Sequence, residues 1–280
     1  MYQMVETTCQ LPGCPCNLAL LADSHDRPAD PILSSLRAHC PDLILIAGDF
    51  VYGNAPLDGT LKMDESYNAM SLLRGCSSIA PTFVSLGNHE WMLSPADLRL
   101  IESTGVIILD NTFTTTIING KKIVIAGLTS ARVTEYQTFR TEYVGSSHFS
   151  AESELYPQLT CSATHPLPNT AWITEMERQP GFKILMCHHP EYYPTYLRDR
   201  NIDLILSGHA HGGQWRFYHP FKKEWMGIWS PGQGLWPPYT SGVHEKRLIV
   251  SRGLANTTIV PRINNPTEIV YVDAVGESWI

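Results

Sequence analysis

The 280-residue sequence lacks any apolar run of about eighteen residues, the length that spans a bilayer. Its amino-terminal segment also lacks a cationic stretch followed by an apolar one, so it does not look like a secretory signal. We therefore expect no integral membrane segment and a cytoplasmic location.

Basic charge is also scarce. Twenty Lys and Arg stand against 27 Asp and Glu, which gives a formal net charge of −7, and neither sign forms a long run. A protein that follows a nucleic-acid backbone usually presents a basic stripe. The composition therefore argues against nucleic acid as the partner.

Cysteine is present in a pattern that does not suit disulfide bonds. There are seven cysteines, an odd number, spread over a long chain. Cys9, Cys14 and Cys16 lie close together, but no second Cys or His pair follows at zinc-finger spacing. We interpret this segment as a loop with reduced thiols, and a zinc site is the less favoured alternative.

Apolar residues, in contrast, are plentiful. They make up 43% of the chain against 17% charged residues, which is enough for a sizeable core and too much for a disordered chain. No compositional shift, internal repeat or low-complexity tract marks a boundary. We predict one domain over residues 1–280.

The first half of the chain alternates apolar runs of strand length with segments of helical period, which predicts a mostly parallel sheet covered by helices. Ser94 is a good helix start because its hydroxyl caps, and the following proline has no amide to leave unpaired. The predicted strands are Asn17–Asp23, Leu43–Gly48 and Thr82–Gly87, and the predicted helices are Ile32–Ala38, Ser66–Arg74 and Pro95–Ser103.

From Val106 the pattern changes to strands joined by turns, and we expect a second sheet to begin there. Asn119-Gly120 predicts a hairpin between Phe113–Ile118 and Lys122–Ala126. Residues 131–170 show no clear period, which favours a functional loop or lid, with unrecognised regular elements as the alternative. The later strand-like segments are Lys183–Cys187, Ile202–Ser207, Arg247–Arg252 and Glu268–Val272.

Polar side chains follow five of the apolar runs. Because the carboxyl ends of strands in an open α/β sheet face one crevice, residues from distant parts of the chain converge there. A single histidine at a strand end is more often a hydrogen-bonded structural residue than a ligand. A set of such polar residues at several strand ends instead favours a metal site. The five are Asp23, Asp49, Asn88, His188 and His209, and local spacing adds His25 and His211.

This set contains carboxylates, imidazoles and one amide, with no thiolate. Such ligands suit Mn²⁺, iron or Zn²⁺ better than Ca²⁺, Mg²⁺ or an iron-sulfur cluster. Seven donors are too many for one tetrahedral ion, and a bridging carboxylate would divide them between two. Two cations about 3.5–4 Å apart stabilise both the entering and departing oxygens of a displacement at phosphorus.

The motifs stand in a recognisable order. DSH (Asp23 to His25), Gly48-Asp49, GNHE (Gly87 to Glu90), His188 and GHAH (Gly208 to His211) resemble those of calcineurin-like metallophosphoesterases. The ending is similar to the bacterial phosphodiesterase branch typified by YkuE and YaeI. It consists of SGHAHGGQ (Ser207 to Gln214), SRGL (Ser251 to Leu254), Arg262 and PTEI (Pro266 to Ile269).

The resemblance implies a fold and a role for each residue. The fold would be a four-layer α/β/β/α sandwich, with two mixed sheets flanked by helices. Asp49 would bridge two cations, and His89 would assist the leaving group, with Glu90 orienting it. The first cation would take Asp23, His25 and His211, and the second would take Asn88, His188 and His209. The adjacent His189 is the alternative to His188, which we choose because the family's ligand lies two residues before a proline, here Pro190.

Two positions depart from related families. Tyr52 stands where many members have a second aspartate, and purple acid phosphatases use tyrosine there as an iron ligand. They lack the histidine that this chain keeps as His25, so we favour a packing role for Tyr52. The same segment lacks the DRG of serine/threonine protein phosphatases, which argues against protein dephosphorylation.

Aromatic residues are dense in the 215–236 segment. We favour rings that cover the second sheet. The alternative is a groove wall beside the cations that receives an apolar or ring-bearing group. The residues are Trp215, Phe217, Tyr218, Phe221, Trp225, Trp229 and Trp236.

The expected function is hydrolysis of a small phosphodiester by a hydroxide shared between two divalent cations, most suitably Mn²⁺, with iron or Zn²⁺ as alternatives. A phosphomonoesterase and a UDP-diacylglucosamine-type pyrophosphatase are alternatives within the same chemistry. A metal-free binding scaffold, like the retromer subunit of this fold, is the non-enzymatic alternative, but here every ligand position is filled.

Overall fold

The computed structural model describes residues 4–52, 63–130, 168–231, 233–257 and 260–275. Residues 131–167, which make up most of the loop or lid expected at 131–170, lie outside the described residues, so that expectation stays a prediction.

The first sheet has six strands in the order β1-β16-β2-β3-β4-β5. From β2 to β5 the strands are parallel, while β16 runs antiparallel to β2 and parallel to β1. The bounds are β1 (Met4–Pro12), β2 (Leu18–Leu21), β3 (Leu43–Ala47), β4 (Thr82–Ser85), β5 (Ile107–Leu109) and β16 (Thr267–Val275). Helices α1 (Asp30–His39), α2 (Asn68–Ile79) and α3 (Pro95–Glu102) follow in the same half of the chain.

The second sheet also has six strands, in the order β14-β15-β9-β8-β7-β6. Its four central strands are parallel and its two edge strands are antiparallel to their neighbours. The bounds are β6 (Thr112–Ile118), β7 (Lys121–Leu128), β8 (Phe182–Cys187), β9 (Leu204–Ser207), β14 (Gly242–His244) and β15 (Leu248–Val250).

Short elements complete the described chain. Helix α4 (Ile173–Glu177) precedes β8, and the 3₁₀ turn Pro190–Tyr192 and the π-helical turn Tyr193–Leu197 follow it. Single 3₁₀ turns, His89–Met92 and His211–Gly213, follow β4 and β9. Two small hairpins are formed by β10 (Arg216–His219) with β11 (Glu224–Gly227) and by β12 (Trp229–Ser230) with β13 (Gly234–Leu235).

Three apolar clusters hold the layers together. The middle cluster joins the two sheets, with Leu20 and Leu45 of the first against Ile184 and Leu206 of the second. The outer clusters pack α1 and α2 on the first sheet, and α4 with the turns after β8 on the second. All five residues of β3 are buried because its sheet is covered on both faces. The architecture is the expected four-layer α/β/β/α sandwich.

Two sequence expectations need correction. The second sheet does not begin at Val106, because Ile107–Leu109 is β5 and pairs in parallel with β4 in the first sheet. The segment around the first cysteines is not simply a loop, since Cys9 lies within β1. The Cys14 thiol donates a hydrogen bond to the carbonyl of Cys16 at 3.2 Å, and both cysteines are buried.

Two local predictions are confirmed, one for the hairpin turn and one for the start of α3. Asn119 and Gly120 both have positive φ, 51° and 75°, as a two-residue hairpin turn between β6 and β7 requires. The Ser94 hydroxyl caps α3 by accepting a hydrogen bond from the amide of Asp97 at 3.2 Å. Among the described residues, no helix is long and apolar enough to cross a membrane.

Candidate metal centre

The seven predicted ligands meet where strands of both sheets end. Asp23 and Asp49 follow β2 and β3, while His188 and His209 follow β8 and β9. Groups whose ligand atoms lie within 4.8 Å of one another combine Asp23 with His25 and His211, and Asp23 with Asp49 and His188. The crevice expected from the strand pattern therefore exists.

Asp49 lies at the middle of this cluster and is almost completely buried. Its Oδ2 lies 3.0 Å from Nε2 of His188, 3.8 Å from Nε2 of His89 and 3.9 Å from Nε2 of His25. Its other oxygen, Oδ1, accepts a hydrogen bond from the backbone amide of His89 at 2.9 Å. One carboxylate thus faces imidazoles from three separate strand ends.

Asp23 joins the two sheets at the other end of the cluster. Its Oδ1 lies 3.3 Å from Nε2 of His211 and 3.9 Å from Nε2 of both His25 and His188. Both of its oxygens accept a hydrogen bond from the backbone amide of His209 at 3.1 Å. This carboxylate from the first sheet therefore anchors the loop that carries two histidines of the second.

The backbone is strained at the residues that carry these side chains. Left-handed conformations are uncommon outside glycine and cost on the order of 1–3 kcal/mol each, and they persist mainly at functional sites. Five of the seven predicted ligands adopt them: Asp23 (φ 52°), His25 (φ 42°), Asp49 (φ 54°), His209 (φ 63°) and His211 (φ 45°).

The hydrogen bonds of His188 show that the cluster fits a cation. Its Nδ1–H donates to the carbonyl of Ala47 at 2.7 Å, which directs Nε2 toward Asp49 Oδ2 at a distance of 3.0 Å. A ring nitrogen and a carboxylate oxygen at that distance need a proton or a metal cation between them. Within the described part of the chain, Nε2 of His188, Oδ1 of Asn88 and both ring nitrogens of His25 are buried without a hydrogen-bond partner. Such atoms are the ones that a bound cation would satisfy.

Electrostatics hold the groups in the ionisation states that a cation needs. Burial alone would raise the pKa of Asp23, but His211 and His188 outweigh it and keep that pKa below its usual value. His188 and His89 likewise keep the pKa of Asp49 well below its usual value against burial. Burial lowers the pKa of His25 to about 3, so this imidazole is neutral near pH 7.

The same charges act on His188 in the opposite direction. Burial by itself would lower its pKa, but Asp49 and Asp23 raise the pKa to about 10. The two carboxylates therefore attract a positive charge to the position beside Nε2, as a cation site does.

Glu90 has a different role from the one expected. It was predicted to orient His89, but its buried carboxylate accepts hydrogen bonds from backbone amides. The donors are Asp49 (2.8 Å), Phe50 (2.9 Å), Val51 (3.2 Å) and Gly87 (2.7 Å). Burial raises the pKa of Glu90 to about 8, although hydrogen bonds from the amides oppose that rise. Glu90 thus fixes the loop that positions Asp49.

His89 lies at the wall of the cavity over the cluster. Its side chain is 22% exposed, and its ring centroid lies 4.4 Å from that of His25. Tyr52, by contrast, is 40% exposed and places its ring edge-on to His25 with centroids 6.5 Å apart, so its role stays a prediction.

The cavity has a volume of about 140 Å³ and opens directly onto the cluster. Trp229, Pro231, Gln214 and Thr257 line it beside Asp49, Asn88, His89, His209, Ala210 and His211. The 215–236 rings do not cover the second sheet as favoured from the sequence, because Trp215, Tyr218, Phe221, Trp225, Trp229 and Trp236 are exposed. Of these exposed rings, Trp229 is the one that forms part of the cavity wall.

Sequence reasoning missed a second buried group beside the cluster. The sequence presents His189 only as an alternative to His188, yet its Nδ1 donates to Oε1 of Glu191 at 2.9 Å. His188, His189 and His209 form a further group whose ligand atoms lie within 4.8 Å of one another. The only sequence signal was the pair of adjacent histidines followed by an acidic residue.

Comparisons with known proteins agree with this geometry. The uncharacterized protein YpbG of Bacillus subtilis is 25% identical over 94% of this chain and 82% of its own length. The uncharacterized metallophosphoesterase YkoQ of the same organism is 23% identical over 82% of this chain and 71% of its own. The phosphodiesterase YaeI of Escherichia coli is 29% identical over 63% of this chain and 51% of its own length.

The family model described as calcineurin-like phosphoesterase matches residues 17–213. That range contains all seven predicted ligands together with His89. The chain therefore belongs to the calcineurin-like phosphoesterase family.

Proposed function

We propose that the protein hydrolyses a phosphodiester with the help of two divalent cations bound side by side. The observation that carries this proposal is the placement of Asp49, whose Oδ2 faces Nε2 of His188 at 3.0 Å and Nε2 of His25 at 3.9 Å. A carboxylate between two groups of ligands is the arrangement that bridges two cations.

The proposed ligands divide into two sets that share Asp49. Asp23, His25 and His211 would hold one cation, and Asn88, His188 and His209 would hold the other. When bound, the cations supply Lewis-acid activation of the attacking water and neutralise charge on the phosphoryl oxygens. Oxygen and nitrogen donors of this kind favour Mn²⁺, with iron or Zn²⁺ as alternatives.

Other residues of the chain position the groups that take part in the reaction. The backbone amide of His89 holds Asp49 Oδ1, and its imidazole at the cavity wall donates a proton or a hydrogen bond to the departing oxygen. Glu90 keeps the Asp49 loop rigid, which supports the preorganisation on which such sites depend.

The cavity wall supports a substrate with an apolar or ring-bearing group. Trp229 and Pro231 present apolar surface within the same cavity that contains Asp49 and His89. We favour a diester because the chain is similar to a protein named phosphodiesterase YaeI. A monoester and a UDP-diacylglucosamine-type pyrophosphate bond are the alternative substrates.

Three further expectations stay part of this proposal. The chain acts as one domain over residues 1–280, it works in the cytoplasm, and nucleic acid is not its substrate, since the net charge is −7.

The test compares bis-p-nitrophenyl phosphate with p-nitrophenyl phosphate, using protein stripped by a chelator and reloaded with Mn²⁺. Metal content is measured on the same sample. We expect two Mn²⁺ per chain and faster hydrolysis of the diester. Hydrolysis confined to the monoester would replace the diesterase with a phosphatase, and protein that binds no metal would support the scaffold alternative.

A further inference from the structure

Two adjacent histidines follow β8, and both are buried. His188 and His189 are 0% and 7% exposed, and their ring centroids lie 5.3 Å apart at an interplanar angle of 79°. Buried imidazoles need partners for their nitrogens, because an unsatisfied buried polar group costs about 1–3 kcal/mol. The function proposed above uses His188 and leaves His189 unexplained.

Glu191 determines which nitrogen of His189 is available. Its Oε1 accepts the hydrogen bond from His189 Nδ1 at 2.9 Å, which leaves Nε2 as the lone-pair nitrogen. A carboxylate behind an imidazole is the usual support of a metal-binding histidine. The same Oε1 lies 3.8 Å from Nε2 of His209, so one buried carboxylate faces two neighbouring imidazoles.

Nε2 of His189 is buried and has no hydrogen-bond partner among the described residues, and the same is true of Nε2 of His188. The His189 ring is held between two others, with centroids 3.9 Å from His209 and 5.1 Å from Tyr192. Ligand atoms of His188, His189 and His209 lie within 4.8 Å of one another. Nitrogen atoms bound to one cation at about 2.0–2.1 Å must lie this close together.

We propose that His189 is a ligand of the second cation, which is then bound by three imidazoles, with Glu191 orienting His189 and His209. This inference rests on the proposed function, since it requires a second cation beside Asp49. It also gives the two positions different chemistry. The first has two imidazoles and two carboxylates, whereas the second is richer in imidazole, which favours Zn²⁺ or Fe²⁺ over Mn²⁺ there.

The test is a titration of the metal-free full-length chain with Co²⁺, followed by visible absorption and by metal content after gel filtration. His189→Asn retains a polar group near Nδ1 for Glu191 but has no atom at the position of Nε2. His189→Gln places an amide oxygen near that position. His244→Asn is the matched control, because His244 is a partly buried histidine whose Nε2 bonds the Ser241 carbonyl away from the cluster.

We expect the wild type and His244→Asn to bind two Co²⁺ per chain. In His189→Asn the second Co²⁺ should bind at least about tenfold more weakly and its absorption bands should shift, while the first binds as before. His189→Gln should recover part of the loss. Thermal unfolding of the metal-free variants checks that each is folded.

The outcomes separate this assignment from the function on which it rests. If His189→Asn binds both Co²⁺ ions with the affinities of the wild type and its absorption spectrum is unchanged, the assignment of His189 is wrong, but the two-cation hydrolase remains. A wild type that binds fewer than two Co²⁺ would overturn the two-cation function, and the assignment with it.

Discussion

His89 is the residue whose loss best separates chemistry from metal binding. It lines the cavity and approaches Asp49, but its side chain is not among the proposed ligands. We expect His89→Ala to lower kcat about 10²–10⁴-fold, the usual contribution of a positioned acid or base, with both cations retained. Turnover of the diester and metal content on one sample check this, with His219→Ala as the surface control. Loss of a cation in His89→Ala would mean that His89 is a ligand.

Glu90 offers a second prediction at the residue scale, concerning stability. In Glu90→Gln an amide nitrogen must face backbone N–H groups that now donate to a carboxylate oxygen. We expect the free energy of unfolding of the metal-free protein to fall by about 1–3 kcal/mol, measured by urea denaturation. Glu65→Gln, at an exposed ion pair with Arg74, should change it by less than about 1 kcal/mol. If the two substitutions lower the free energy of unfolding equally, the hydrogen bonds from the amides to Glu90 stabilise the protein no more than the exposed ion pair does.

The individual residues of the site differ in how far the sequence revealed them. Asp23, Asp49 and His209 each follow an apolar run, so a pattern along the chain was enough to find them. Glu90 was found but given the wrong partner, because its contacts run to amides of a loop about forty residues earlier. Glu191 gave no periodic signal, since its position beside two imidazoles exists only after folding.

At the scale of elements, the buried parallel strands were the easiest to predict. β3 reads as a continuous apolar run because both faces of its sheet are covered. β1 was missed because its burial alternates and its partner β16 comes from the other end of the chain. β5 was placed in the wrong sheet, since three residues of a strand carry no information about which neighbour they join.

The strand ends must approach closely for the site to form, and Gly87 after β4 shows how closely. A Cβ built there would lie 2.2 Å from Oδ1 of Asp49 and 2.7 Å from its backbone nitrogen. Gly87→Ala should therefore displace Asp49, lower activity at least about tenfold and weaken metal binding, because small shifts of a site cost large factors in rate.

The matched control for Gly87→Ala is Gly120→Ala in the hairpin turn. Gly120 has a φ of 75° and open space around a built Cβ, so alanine there strains the backbone by about 1–2 kcal/mol without touching the site. Metal content and turnover of this variant should equal those of the wild type, although its melting temperature falls. Normal turnover and metal content in Gly87→Ala would contradict this prediction, because the loop that carries Asp49 would then have moved without disturbing the site.

At the scale of the whole molecule, the site is shared between the two sheets. Asp23, Asp49 and Asn88 follow strands of the first sheet, and the histidines from 188 to 211 follow strands of the second. The apolar cluster lies between the two sheets. Where the strands end, the buried carboxylates of Asp23 and Asp49 have ligand atoms within 4.8 Å of each other. Cations that bind both sets should therefore stabilise the packing of one sheet on the other.

This linkage predicts a rise in stability on metal binding. A ligand that binds only the folded chain adds about 2.7 kcal/mol at one hundred times its Kd. We expect Mn²⁺ to raise the melting temperature of the chelated wild type, and a chelator to reverse the rise. Asp49→Asn, which removes the shared charge, should lose most of that response, whereas Asp64→Asn at an exposed turn should keep it. An equal rise in Asp49→Asn would show that the cation binds elsewhere, and the two sheets would then owe their packing to the apolar cluster alone.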